Sequence, residues 1–180
     1  MRLPAIFCLL ALSVLGVGVN FPSTQKSVSP DGRQTIYCAT EKLSDGYAHK
    51  IFLAATGSKA KHLVWIANRH CDVLWRQDSQ VLAITDWSGS STAEIYLHKV
   101  GSTEMAEPLR IWNLSELVSR SELDGHYYAE ALSWNSPTNL VIRVFGHTDD
   151  NPSHGFSYYL SVDIGSEKAI LLKKTSSEAS

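Results

Sequence analysis

Short apolar runs punctuated by turn residues dominate this chain from about residue 27 onward. The runs at 34–39, 51–55, 62–67, 81–85, 94–99, 109–112, 140–145, 156–162 and 168–172 are rich in β-branched and aromatic residues. Gly, Ser, Asp, Asn and Pro clusters separate them, the pattern of antiparallel strands joined by tight turns. One helical signal interrupts it. Asn113 precedes Leu114, Leu117 and Val118, with Glu116 three residues after Asn113. That spacing reads as a capping box ahead of one short helix near 114–122.

The strands repeat. Val28-Ser29-Pro30-Asp31-Gly32 aligns with Trp75-Arg76-Gln77-Asp78-Ser79 and with Trp134-Asn135-Ser136-Pro137-Thr138. Each copy runs into a strand, then a polar connection, then an apolar triplet: Ile51-Phe52-Leu53, Ile95-Tyr96-Leu97 and Tyr158-Tyr159-Leu160. A fourth strand follows each triplet. The longer interval between the second and third copies holds the helical signal. The fold class expected is therefore all-β and antiparallel, with about three four-stranded units at about 27–67, 70–113 and 126–173.

These residues resemble a family. The turn Ser29-Pro30-Asp31-Gly32-Arg33, preceded by an apolar or Trp position at Val28, Trp75 and Trp134, is similar to β-propeller blades. The likeness is to the periplasmic propeller of the Tol system and to propellers of the prolyl-oligopeptidase group. It covers about residues 27–173, specific in the first copy and degenerate in the others, where Gln77 replaces Pro and Thr138 replaces Gly. The resemblance implies a scaffold rather than the peptidase activity, since that chemistry lies in a separate domain for which this chain has no room. Propellers close with about four to eight blades. Three units would leave apolar end faces, so two chains could close a six-bladed ring as a homodimer, or the three could form a β-sandwich.

The N-terminus sets the compartment. Arg2 precedes an apolar run to Val19, and Asn20, Pro22, Ser23 and Thr24 follow at once. This is the layout of a secretory signal peptide over 1–18, cleaved after Gly18. The run is short for a membrane span and contains Pro4. An extracytoplasmic chain, periplasmic or secreted, with no membrane span in its mature part is expected. Cleavage removes one basic residue, Arg2, and no acidic one, taking the formal charge from −2 to −3. Cys38 and Cys71 then remain, an even count that reads as one disulfide in an oxidising space, worth about 3–4 kcal/mol in the loop-entropy picture.

Composition excludes more than it selects. A pI near 6.4 with no basic run excludes a nucleic-acid binder. No phosphate-binding glycine loop, dinucleotide fingerprint or nucleophile elbow is present, and no cofactor is expected. Asn113-Leu114-Ser115 fits an N-glycosylation triplet. The connection 146–155 places His147, Asp149, Asp150 and His154 within eight positions. Such donors suit a divalent metal and a small metal-dependent hydrolase; the alternative is a solvated hairpin. Trp75 and Trp134 occupy equivalent repeat positions and are expected in the core. Trp87, beside Ser88-Gly89-Ser90-Ser91, is expected exposed at a loop tip. The function expected is a non-catalytic module that engages a protein partner through Trp87, His147, Asp149, Asp150 and His154. An inhibitor or immunity protein fits that description, as does an oligomeric propeller holding a small ligand.

Overall fold

The structure is a computed structural model, and it describes residues 18–178; the signal-peptide reading lies almost entirely outside them. Thirteen strands and two single helical turns are formed among the described residues. A four-stranded sheet contains β2 (Lys26–Val28), β3 (Gln34–Leu43), β4 (Gly46–Ala55) and β5 (His62–Ala67), paired in sequence order. A nine-stranded sheet contains β1 (Val19–Phe21), β6 (Cys71–Trp75), β7 (Val81–Asp86), β8 (Thr92–Lys99), β9 (Glu107–Pro108), β10 (His126–Trp134), β11 (Asn139–His147), β12 (His154–Asp163) and β13 (Lys168–Glu178). Its order is β1-β6-β7-β8-β10-β11-β12-β13, with β9 also on β8.

Within this sheet β6–β9 and β10–β13 are sequential meanders like β2–β5. Two features depart from expectation. The pairing is not wholly antiparallel, because Tyr127 and Tyr128 pair in parallel with Thr92 and Ala93. That contact merges the second and third units, and no sheet closes into a ring among the described residues. The run at 109–112 is not a strand. β10 occupies the Thr92–Ala93 part of the β8 edge, so β9 finds only Tyr96 and Leu97 to pair with. Leu109 and Ile111 turn inward against the core instead.

The units stack through alternating side chains. Leu74, Val81, Ala83 and Ile95 face the third unit and pack with Trp134, Leu140, Ile142, Val144 and Leu160. Val73, Trp75, Leu82 and Ile84 face the first unit and pack with Ile36, Ile51, Leu53 and Val64. Covered on both sides, β7 is buried at all six positions. This explains its unbroken apolar run Val81-Leu82-Ala83-Ile84, where β11 alternates. The end units are covered on one side only. Tyr37, Phe52 and Leu63 lie side by side on the outward face of the first.

The repeated turns lock onto each other. In the first, the Gly32 amide donates to the Ser29 carbonyl at 2.9 Å and the Arg33 amide to Asp31 Oδ1 at 3.0 Å. The second repeats these bonds with Ser79, Arg76, Gln80 and Asp78. Ser79 takes the left-handed φ of 63° that Gly32 takes at 73°. Its hydroxyl accepts the Asp31 amide at 3.1 Å. Arg76 in turn donates to the Pro137 carbonyl of the third turn at 2.6 Å. The third turn is one residue shorter: Asn135 bonds Asn139, whereas Ser29 bonds Gln34.

The single helix expected at 114–122 is two one-turn helices, α1 (Leu114–Leu117) and α2 (Arg120–Leu123). The capping box belongs to Ser119 and Glu122 rather than Asn113 and Glu116. Asn113 is drawn away by β13: its amide donates to the Ala169 carbonyl and accepts the Ala169 amide, both at 2.9 Å. That also occupies the side chain of the glycosylation triplet. Glu122 accepts from the Tyr158 hydroxyl at 2.7 Å. Burial would raise its pKa, but the Ser119 and Tyr158 hydroxyls overcome that and hold it low.

The disulfide is not formed. Cys38 and Cys71 are free thiols in the same core cluster. Cys38 sits mid-strand because β3 runs on to Leu43, while Cys71 opens β6. Burial pushes the Cys71 thiol well up, with Asp86 adding to it.

Candidate binding surface

β10 and β11 carry two different faces, as strand periodicity requires. Tyr127, Ala129 and Ala131 point into the core with Ile142 and Val144. The opposite face presents a ladder of cross-strand pairs: His126 with His147, Tyr128 with Phe145, Glu130 with Arg143. The two imidazole rings stack at 4.6 Å. The Tyr128 and Phe145 rings lie 5.3 Å apart. Arg143 Nε lies 3.0 Å from Glu130 Oε1, and its guanidinium carbon is 3.8 Å from the Phe145 ring centre. Such pairs stabilise a sheet face by about 0.2–1 kcal/mol each. Burial raises the Glu130 pKa, and Arg143 pulls against it.

Trp87 joins this face from the end of β7. Its ring lies 6.1 Å from Tyr128, 6.3 Å from Phe145 and 5.6 Å from His70, nearly parallel to the last. Its indole N–H donates to Asp72 Oδ2 at 2.6 Å, and Asn20 donates to Asp72 Oδ1 at 2.9 Å. The loop after Trp87 is tied down as well. The Tyr128 hydroxyl donates to the Ser90 carbonyl at 2.6 Å, and Arg69 to the Gly89 carbonyl at 2.8 Å. Trp87 is thus half-buried in an aromatic cluster, not an exposed loop tip.

The expected site residues divide accordingly. Trp87 and His147 share one continuous face through Tyr128, Phe145 and His126. Asp149 approaches His126, with 3.7 Å between Nε2 and Oδ1. Asp150 is exposed in the β11–β12 connection. His154 opens β12, paired through its backbone with Glu178. Among the described residues no three His, Cys, Asp or Glu side chains converge as a metal-binding set. Asp149 meets an imidazole, but it is His126, on the neighbouring strand.

Glycine makes the approach possible. A Cβ on Gly146 would stand 1.8 Å from the His126 carbonyl oxygen, and one on Gly125 would stand 2.7 Å from the His147 oxygen. Below the ladder, a shallow groove of about 470 Å³ runs between Arg143, Phe145, Ser157, Tyr159 and Thr175. His70, Asp72, Tyr128, Glu130, Arg143 and Phe145 went unread in the sequence as site residues. The signal that marks them is polar and aromatic residues alternating with core positions in strands that should otherwise show a plain surface.

Comparisons with protein families, curated proteins and solved structures find no match to this chain.

Proposed function

We propose that this chain is an extracytoplasmic, non-catalytic binding module whose protein partner docks on the outward face of the third unit. The observation that carries the reading is the half-buried ladder His126–His147, Tyr128–Phe145 and Glu130–Arg143, on the face of β10 and β11 away from the core and flanked by Trp87 and the loop after it. Aromatic and Arg side chains fixed in place supply contact area at low entropy cost, the make-up of interface hot spots. The connection bearing Asp149, Asp150 and His154 forms the rim. The compartment rests on the N-terminal apolar run, and among the described residues no helix is long and apolar enough to cross a membrane. The three meanders with interlocked turns support a blade-like scaffold.

The test is affinity capture with residues 19–180 as bait from an extracytoplasmic extract, beside a Trp87→Ser/Phe145→Ser variant shown to be folded by circular dichroism. A protein held near stoichiometry by the parent and lost from the variant is the expected result. Equal capture by both would overturn this surface. The open outward face of the first unit, with Tyr37, Phe52 and Leu63, favours one second reading. Two copies would join end face to end face in a six-unit ring, which sedimentation reads directly as a dimer.

A further inference from the structure

The nine-stranded sheet ends at β13, an eleven-residue edge strand. Its beginning is already partnered by the chain itself. The Trp112 amide donates to the Glu167 carbonyl at 2.9 Å, and the Asn113 side chain bonds both the amide and the carbonyl of Ala169. Asn113 imitates a neighbouring strand. Alternate residues of a strand direct their backbone groups the same way, so the amide and carbonyl of Leu171 also face outward; a bulge at Leu172, between Leu171 and Lys173, then shifts the alternation. Among the described residues nothing pairs with that edge beyond Ala169.

The edge carries two of the usual safeguards, its lysines and a bulge at Leu172, but it is neither short nor covered. Edge strands are kept short, bent or covered because their free amides and carbonyls recruit another strand. β13 is long, and Ile170, Leu171 and Leu172 are 65%, 45% and 50% exposed. Trp112, 68% exposed, stands where Asn113 stops the pairing. Residues 168–176 hold Lys168, Lys173 and Lys174 and no acidic residue. Lys174 faces Glu122 at 3.7 Å and Lys173 lies over the Tyr159 ring at 5.9 Å.

We propose that the edge of β13 from Leu171 onward is a strand-addition site for an extended acidic segment of a partner protein. The backbone of Leu171 and, past the bulge at Leu172, of the residues after Lys173 would supply the ladder bonds, the apolar triplet and Trp112 the contact area, and the lysines the preference for acidic residues. A second copy suits the edge less well, because two antiparallel β13 strands would bring lysines against lysines. This site does not depend on the aromatic face. The Trp87→Ser/Phe145→Ser variant should keep it, so the two readings can fail separately.

The probe is a fluorescein-labelled octapeptide alternating glutamate and valine, beside a lysine–valine counterpart. Polarisation reads binding, and hydrogen exchange reads its place. The acidic peptide is expected to bind and to slow exchange of the amides at 171–176 by about tenfold or more. Lys168→Glu/Lys173→Glu, which leaves the core untouched, should weaken it about fivefold or more. Leu171→Pro, which removes an outward N–H, should abolish it; Trp112→Ser should weaken it if proline unfolds the strand. Absence of binding, equal binding of the lysine–valine peptide, or protection elsewhere would overturn the proposal. So would self-association that protects 171–176 and excludes the peptide, which would assign the edge to a second copy.

Discussion

Replacing Gly146 by alanine tests whether β10 and β11 approach as closely as the ladder requires. The new Cβ would lie 1.8 Å from the His126 carbonyl oxygen, 2.8 Å from its carbon and 3.0 Å from Tyr127 Cα. All three are backbone atoms in a paired strand, so no side chain can swing aside. The strands must part by about 1.2 Å to reach even 3.0 Å, a separation that real Cβ contacts essentially never undercut. Overpacking of this kind costs about 1–3 kcal/mol and occasionally more. Rigid neighbours put Gly146→Ala at the upper end, about 3 kcal/mol. For a domain of this size that lowers Tm by about 6–12 °C. Thermal melts followed by circular dichroism measure it. Gly32→Ala is the control: its Cβ meets nothing within 4 Å, and only the φ of 73° opposes it. That costs about 1–2 kcal/mol. If Gly146→Ala melts no lower than Gly32→Ala, the close approach at His126 is wrong.

Three other outcomes follow from burial. Leu82 is fully buried in the middle unit, so Leu82→Ala should cost about 3–5 kcal/mol; a urea midpoint shift worth less than 1 kcal/mol would contradict that packing. His98 is buried, and burial, then the neighbouring His62, pushes its pKa down against the pull of the Glu104 backbone. The unfolded state binds the proton more readily, so stability present above about pH 6.5 is lost as pH falls toward the folded-state value. His98→Leu should flatten the urea midpoint between pH 7.5 and 5, and parallel profiles would refute the assignment. Cys71 is fully buried and its thiol held protonated. Maleimide should leave Cys71 unlabelled in the folded chain, and rapid native labelling there would show the core to be open.

What was legible in the sequence is what is local. The strand at His62–Ala67 and the alternation of buried Tyr158 with half-exposed Tyr159 follow from period and punctuation. So do the buried Trp75 and Trp134 and the shared geometry of the first two turns. Asp78 and Ser79 reproduce the turn of Asp31 and Gly32 because the Asx bonds span only two residues. What escaped depends on distant partners. Asn113 has a good N-cap sequence, but Ala169, 56 residues on, offers two hydrogen bonds where the cap offers one. β1 is three residues long and exists because Phe21 pairs with Cys71. Trp87 sits at a hairpin end by pattern, yet its surroundings come from Asp72, Tyr128 and Phe145. The parallel Tyr127–Thr92 contact, which decides that the second and third units are one sheet, has no local signature.

The placement of β7 between two cores also bears on how such a chain can diverge. A residue at Leu82 answers to Ile36 and Ile51 on one side, while its neighbour Ala83 answers to Ile142 and Leu160 on the other. The middle unit has no silent face on which substitutions can accumulate. The end units each have a face free of core packing. Descendants of this sequence should therefore drift fastest on the outward face around Phe52, change around Phe145 only as the partner changes, and vary slowest in Val81–Asp86. New specificities would arise at the ends of the stack while its centre stays nearly fixed.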